Sequence, residues 1–200
     1  MPTKDQPPLV TLYGDGACLG NPGPGGYGTV LLFGKHRKEL SAGYRKTTNN
    51  RMELLGVLCG LEILKRPCAL EIVSDSKYVV EAMQKSWPQR WRDRGWRTSG
   101  KSRAANVDLW VRVLAAAELH TVEWKWVKGH SGNRENERCD QLALAAAQGK
   151  NLAVDSGYEE LTKTLFDSGA FDTGAGSRAR GRRRFPRRAH KFVAELVDNR

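Results

Sequence analysis

Apolar and polar residues alternate in the first third of the chain and then give way to longer apolar runs at helical spacing. Leu9-Val-Thr-Leu-Tyr13 has the two-residue rhythm of a strand, and Tyr27–Phe33 and Leu40–Tyr44 read the same way. Between the first two, Gly20-Asn-Pro-Gly-Pro-Gly-Gly26 holds too much glycine and proline for helix or strand, which predicts an ordered loop. Thr48 or Asn49 caps a helix from about Asn50 to Lys65, stopped by Pro67. Met52, Leu54, Leu55, Val57, Leu58, Leu61, Ile63 and Leu64 leave that helix no polar stripe, so it belongs deep in the core. A strand at Leu70–Ser74, helices at Lys77–Lys85 and Val107–Glu118, a strand at Thr121–Val127 and a helix at Glu135–Gln148 follow. Three consecutive strands followed by strand–helix alternation predict an α/β fold of the α+β kind: a mixed sheet, antiparallel at first, with helices packed on it.

At 200 residues and 40% hydrophobic content, the chain has room for one core plus an appendage. The longest greasy stretch, Val111–Leu119, is interrupted by Arg112 and Glu118, so no membrane span is expected. Met1–Pro8 lacks the apolar core of a secretory signal, and Cys18, Cys59, Cys68 and Cys139 are scattered with no C-x-x-C pair. Reduced, structural cysteines in a cytoplasmic protein are the expectation; neither a disulfide framework nor a zinc site fits the spacing. The net charge of +11 points to a polyanionic partner. That charge sits in two patches, Gln84–Arg103 and Thr162–Arg200, each netting +6. The predicted organisation is an extension at 1–8, a domain at 9–161 with a basic protrusion at about 84–103, and a basic, disordered tail at 162–200.

Four carboxylates stand near the ends of elements. Asp15 is expected after the first strand, Glu53 in the first turn of the buried helix, Asp75 after the fourth strand, and Asp140 at the opening of the last helix. Each alone reads as a turn residue or as an answer to a helix dipole. Glu53 resists that reading, because a charge in an otherwise apolar helix needs a shared site. If the first and fourth strands are neighbours, Asp15 and Asp75 emerge side by side. Clustered carboxylates repel unless cations lie between them, and an all-oxygen donor set favours Mg²⁺ or Mn²⁺. Two such ions about 3.5–4 Å apart suit phosphodiester hydrolysis. A nuclease is the reading that joins these features to the basic surface.

The runs Asp15-Gly-Ala-Cys-Leu-Gly-Asn-Pro-Gly-Pro-Gly-Gly-Tyr-Gly28, Thr47-Thr-Asn-Asn-Arg-Met-Glu53, Ser74-Asp-Ser76, Gly95-Trp96, Asn106-Val-Asp-Leu-Trp110, Val127-Lys-Gly-His-Ser-Gly132 and Asn136-Glu-Arg-Cys-Asp140 resemble, in order, bacterial ribonuclease H of type 1. The resemblance covers roughly residues 9–161. It implies a ribonuclease H-like fold, a five-stranded mixed sheet with helices on both faces and a basic helical handle, and cleavage of the RNA strand of RNA/DNA hybrids to 5′-phosphate and 3′-hydroxyl ends. It implies Mg²⁺ as cofactor, two ions per site in the substrate complex, with Mn²⁺ as a substitute. Asp15 and Asp140 would flank the ion holding the attacking water, Glu53 and Asp75 with Asp15 the ion on the leaving-group side. His130 would assist proton transfer or product release from a Gly-rich loop. Cys18, Asn21, Asn49, Asn50 and Lys77 would line the RNA minor groove, and Lys46, Thr48 and Asn106 the DNA phosphates. Family members carry Arg where Lys46 stands, Gln where Lys77 stands and Thr where Gly14 stands, which bears on affinity and salt dependence and not on the metal ligands.

In the handle, Trp87, Trp91 and Trp96 fit either base-stacking platforms or, more economically, a packing cluster holding the protrusion together. Arg90, Arg92, Arg94 and Arg97 would then meet phosphates without reading sequence. The Arg-rich tail reads as a solvated extension or a non-specific nucleic-acid tether. A monomer is expected. The competing readings are a catalytically silent hybrid-binding module and a strand transferase or resolvase on a related fold.

Overall fold

The structure, a computed structural model, describes residues 9–160; the expectations for residues 1–8 and for the basic tail lie outside them. The strands are β1 (Leu9–Cys18), β2 (Gly23–Phe33), β3 (His36–Thr47), β4 (Ala69–Ser74) and β5 (Thr121–Trp126). The helices are α1 (Asn49–Glu62), α2 (Lys77–Gln84), α3 (Trp87–Asp93), α4 (Val107–Ala117) and α5 (Arg134–Ala147). One mixed sheet has the order β3-β2-β1-β4-β5. β1–β2 and β2–β3 pair antiparallel, while β1–β4 and β4–β5 pair parallel. The first and fourth strands are therefore neighbours.

α1 lies on one face of the sheet and α5 on the other, and both rest on glycine. A Cβ on Gly16 would fall 2.3 Å from the main chain of Met52 and Glu53 in α1. One on Gly28 would fall 2.1 Å from the Cys139 carbonyl oxygen in α5. Each is an approach that only a hydrogen permits. α1 is buried on nearly every side, as its composition predicts, and with Leu12, Leu70, Ile72, Val113 and Trp110 it makes the core. Among the described residues no helix is long and apolar enough to cross a membrane, and all four cysteines are free thiols.

Several boundaries differ from those the sequence predicts. Gly23–Gly26 is strand, the start of β2: its glycines lie against Ala17, Thr47 and α5, and the ladder needs no side chains there. β1 runs on to Cys18 because it keeps pairing with β2 through Cys18↔Gly25, so Asp15 lies within the strand. α1 stops at Glu62, three residues short of Lys65. The basic segment holds a helix, α3, followed by a turn closed by the Arg97↔Arg103 bridge.

Candidate active site

Parallel register sets the centre. Tyr13 pairs with Val73, and two residues further along the chain from each come Asp15, still in β1, and Asp75, just past the end of β4, at one edge of the sheet. Asp15 is only 7% exposed, and its Oδ1 accepts the Gly16 N–H at 2.7 Å. Burial first, then the nearby Asp75 and to a lesser degree Asp140 and Glu53, push its pKa up to about 8 against that hydrogen bond.

Glu53 reaches the same centre from α1. It sits one residue further into the helix than the sequence suggests, just past a first turn that holds no acidic residue. Its Oε2 accepts the Ser76 hydroxyl at 2.6 Å and its Oε1 the Asn49 side-chain amide at 2.8 Å. Burial raises its pKa despite the Ser76 hydrogen bond, and Asp75 adds to the rise. Asp140 lies halfway along α5, not at its opening: Asn133 caps that helix by accepting the Asn136 N–H at 3.1 Å. The residue before Asp140 is Cys139, whose carbonyl rests on Gly28, the partner of Asp15 across the ladder. That contact delivers Asp140 to Asp15.

All donors here are hard oxygens, and the repulsion that lifts the Asp15 pKa is what a divalent cation would relieve, so the residues fit Mg²⁺ or Mn²⁺. Among the described residues, no three His, Cys, Asp or Glu side chains stand close enough to form a ready-made cage. Asp75, Asp140 and Glu53 all lie near enough to act on the Asp15 carboxyl, so the four are grouped around it in an open arrangement.

His130 is exposed on the loop before α5 with φ 51, and Gly132 follows at φ 89. The loop is tied down by the Gly132 N–H donating to Glu137 Oε1 at 2.9 Å. Next to His130, Gly129 presses on the centre: a Cβ there would fall 2.5 Å from Asp75 Oδ2. On the other side of Asp75, its carbonyl accepts the Trp126 indole N–H at 3.0 Å, and the Lys77 ammonium lies 5.1 Å from the Trp126 ring centre.

Beside the carboxylates runs a polar surface. Asn21 Oδ1 accepts the Asn49 backbone N–H at 3.2 Å, and the Cys18 thiol lies 3.6 Å from the carbonyl oxygens of Gly23 and Thr47. Cys18, Asn21, Thr48, Asn49 and Asn50 thus form one patch, with Lys46 exposed at its end. Across from it, Asn106 stands at the head of α4 with φ 56, its side-chain amide donating to the Tyr78 hydroxyl at 3.1 Å.

In the handle, Trp87, Trp91 and Trp96 are half-buried and pack against the core, and Trp91 meets Trp110 edge-on at 6.0 Å. Their contacts are those of a packing cluster, and the Lys85 ammonium lies 5.2 Å from the Trp87 ring centre. Arg90, Arg92, Arg94 and Arg97 are exposed, with Arg92 paired to Glu118 at 2.8 Å and Arg97 donating to the Lys101 carbonyl at 3.0 Å.

Sequence reasoning passed over Ser76, Trp126 and Gly129. Ser76 was readable as a helix cap, since its hydroxyl accepts the Val79 N–H. The other two become visible only when β5 is placed beside β4.

The family model for RNase H matches residues 7–148. A ribonuclease H of Desulforamulus reducens is 58% identical over 146 residues, spanning 73% of this chain and 92% of that one. One from Syntrophus aciditrophicus is 54% identical over 155 residues, 78% and 90% of the respective chains. Among solved structures, LC9-RNase H1, described as a type 1 RNase H with the type 2 active-site motif, superposes with a TM-score of 0.66 at 32% identity, covering 84% of this chain and 87% of that one. The edge-of-sheet carboxylates and these matches lead to one family, and the chain belongs to the ribonuclease H family.

Proposed function

We propose that this protein is an endoribonuclease that hydrolyses the RNA strand of RNA/DNA hybrids with divalent cations, leaving 5′-phosphate and 3′-hydroxyl ends. The observation that carries the reading is the meeting of four carboxylates from β1, α1, the β4 end and α5 beside a patch of amides and hydroxyls. Asp15 and Asp140 would hold one Mg²⁺, and Asp15, Glu53 and Asp75 a second. Bound there, the ions would make water acidic enough to attack and would offset charge on the leaving oxygen. Ser76 and Asn49 hold both oxygens of Glu53 in place. Asn21, Asn49, Asn50 and Cys18 read the groove face of the RNA, where amides both donate to and accept from 2′-hydroxyls. Lys46, Thr48 and Asn106 take phosphates of the DNA strand, and the handle arginines add charge without sequence readout. His130 assists proton transfer or product release at the mouth of the site, exposed on the loop before α5. The reading carries with it a monomer working in the cytoplasm.

The test is cleavage of a strand-labelled hybrid, with matched RNA and DNA duplexes as controls, by wild type and Asp15→Asn, in EDTA, Mg²⁺ and Mn²⁺. Cutting of the RNA strand in the hybrid alone, needing metal and lost in the variant, supports it. Tight hybrid binding without cutting in either metal would make the protein the silent binding module instead.

A further inference from the structure

The segment after α5, residues 151–160, inserts a carboxylate beneath the nucleic-acid surface. Asp155 is 5% exposed and Arg51 2%. Asp155 accepts Arg51 Nε at 2.7 Å, Arg51 Nη2 at 2.7 Å and the Thr47 hydroxyl at 2.6 Å. The same guanidinium donates to Asp108 through Nη1 at 2.9 Å and Nη2 at 2.7 Å. Gly157 seals the arrangement: a Cβ there would fall 2.1 Å from Asp108 Oδ2 and 2.7 Å from Arg51 Nη2.

We propose that Arg51, gripped between Asp108 and Asp155, is a positioning residue that sets the spacing between the RNA-facing asparagines and the DNA-phosphate pocket, so that the segment around Asp155 is a working part of hybrid recognition. The inference rests on the function proposed above.

Placement carries it. Arg51 is the third residue of α1, directly after Asn49 and Asn50, with Thr48 at the helix cap. Asp108 is the second residue of α4, whose cap is Asn106. A fork with both arms on Asp108 therefore locks together the first turns of the two helices that present these contacts. Asp155 holds the fork from behind and also holds Thr47, the residue before Thr48. The segment is itself stitched to β3 beside Lys46: Ala153 N–H donates to the Gly43 carbonyl at 2.8 Å and the Arg45 N–H to the Ala153 carbonyl at 2.9 Å.

Energetics point the same way. Burying the Arg51 guanidinium with the Asp155 carboxylate, while Asp108 stays 44% exposed at the rim, costs desolvation that apolar residues of equal volume would avoid, so stability alone is a weak reason for such a group. Four of the five N–H donors of Arg51 are spent within the protein, which rules it out as a phosphate ligand in its own right. What remains is geometry. The two strands of a hybrid lie a fixed groove width apart, and a site that touches both needs its two halves held at that width.

The experiment compares wild type, Asp155→Asn and Asp155→Ala in the full chain, at 15 °C, after thermal melts establish that each is folded. Steady-state cleavage is measured on a hybrid and on a set of hybrids carrying one uncharged methylphosphonate at successive DNA-strand positions. In wild type, one position is expected to raise KM, marking the phosphate that Thr48 and Asn106 hold. In the Asp155 variants KM for the unmodified hybrid is expected to rise on the order of fivefold to tenfold with kcat within about twofold, and the penalty of that methylphosphonate to shrink towards nothing, as for two changes acting on one contact. A lower melting temperature with KM and the methylphosphonate penalty unchanged would overturn the inference and leave the cluster a stability element. A fall in kcat at constant KM, or a raised KM with the penalty at full size, would overturn it as well. Failure of wild type to cut the hybrid at all would instead sink the function on which it rests.

Discussion

Replacing Asp15 by Asn should make the metal-free protein more stable while destroying its activity. In an open chain this carboxyl titrates near 3.8, and in the fold burial and the neighbouring carboxylates lift it to about 8. Each pH step in such a gap corresponds to about 1.4 kcal/mol, so ionised Asp15 costs the fold on the order of 6 kcal/mol as an upper bound. The site opens at the sheet edge, where water and side-chain motion screen charge, and about 2–3 kcal/mol is the expected gain. For a folded unit of this size that is about 5–10 °C in melting temperature. The sign follows from linkage. Between about pH 4 and pH 8 the folded protein keeps a proton on Asp15 that the unfolded chain has lost, so wild-type stability falls as pH rises through that window and levels off above it. Asparagine removes this slope and can still accept the Gly16 N–H. Melts followed by circular dichroism in EDTA at pH 5 to 9 should show the gap between Asp15→Asn and wild type widening up to about pH 8. Saturating Mg²⁺ should narrow it by stabilising wild type alone. A gap independent of pH, or a variant less stable than wild type at pH 8.5, would refute the account of Asp15.

Ser76→Ala removes both a helix cap and a hydroxyl on Glu53; it should cost about 1–2 kcal/mol in denaturant titrations and raise the Mg²⁺ concentration needed for half-maximal cleavage. Gly129→Ala drives a methyl group into the Asp75 carboxylate and should lower kcat at least about tenfold with the melting temperature nearly unchanged. Trp91→Ala should cost about 3 kcal/mol of stability through lost packing on Trp110, whereas Arg90→Ala with Arg94→Ala should leave stability alone and reduce the salt slope of hybrid binding by up to about 2. Deleting residues 162–200 should weaken hybrid binding at low salt and leave the single-turnover rate within about twofold; an unchanged salt slope would end the tether reading of the tail.

The order of strands and helices was legible because apolar periodicity here is strong, and the burial of α1 follows from a helix with no polar stripe. The same composition that made Glu53 conspicuous could have flagged Arg51, another charge in that helix, which is only 2% exposed. Strand limits were less legible. The start of β2 is built from glycine, which carries no β-propensity, and only pairing with β1 and β3 makes it strand. The limits of the last helix were legible to within one residue, Glu135–Gln148 against Arg134–Ala147, and by those limits Asp140 belongs in mid-helix and not at its opening. Asp155 had no signal at all: its partners lie 104 and 108 residues away in the chain, and only the fold brings them together.

The glycine seats of α1 and α5 divide the chain into two kinds of position. Because each helix rests directly on the main chain of a strand, the distances among the carboxylates do not depend on which aliphatic residues fill the rest of the core. They depend on Gly16 and Gly28. A substitution at either would move a helix, and with it a carboxylate, so two residues with no side chain and no chemistry set the spacing of the acids.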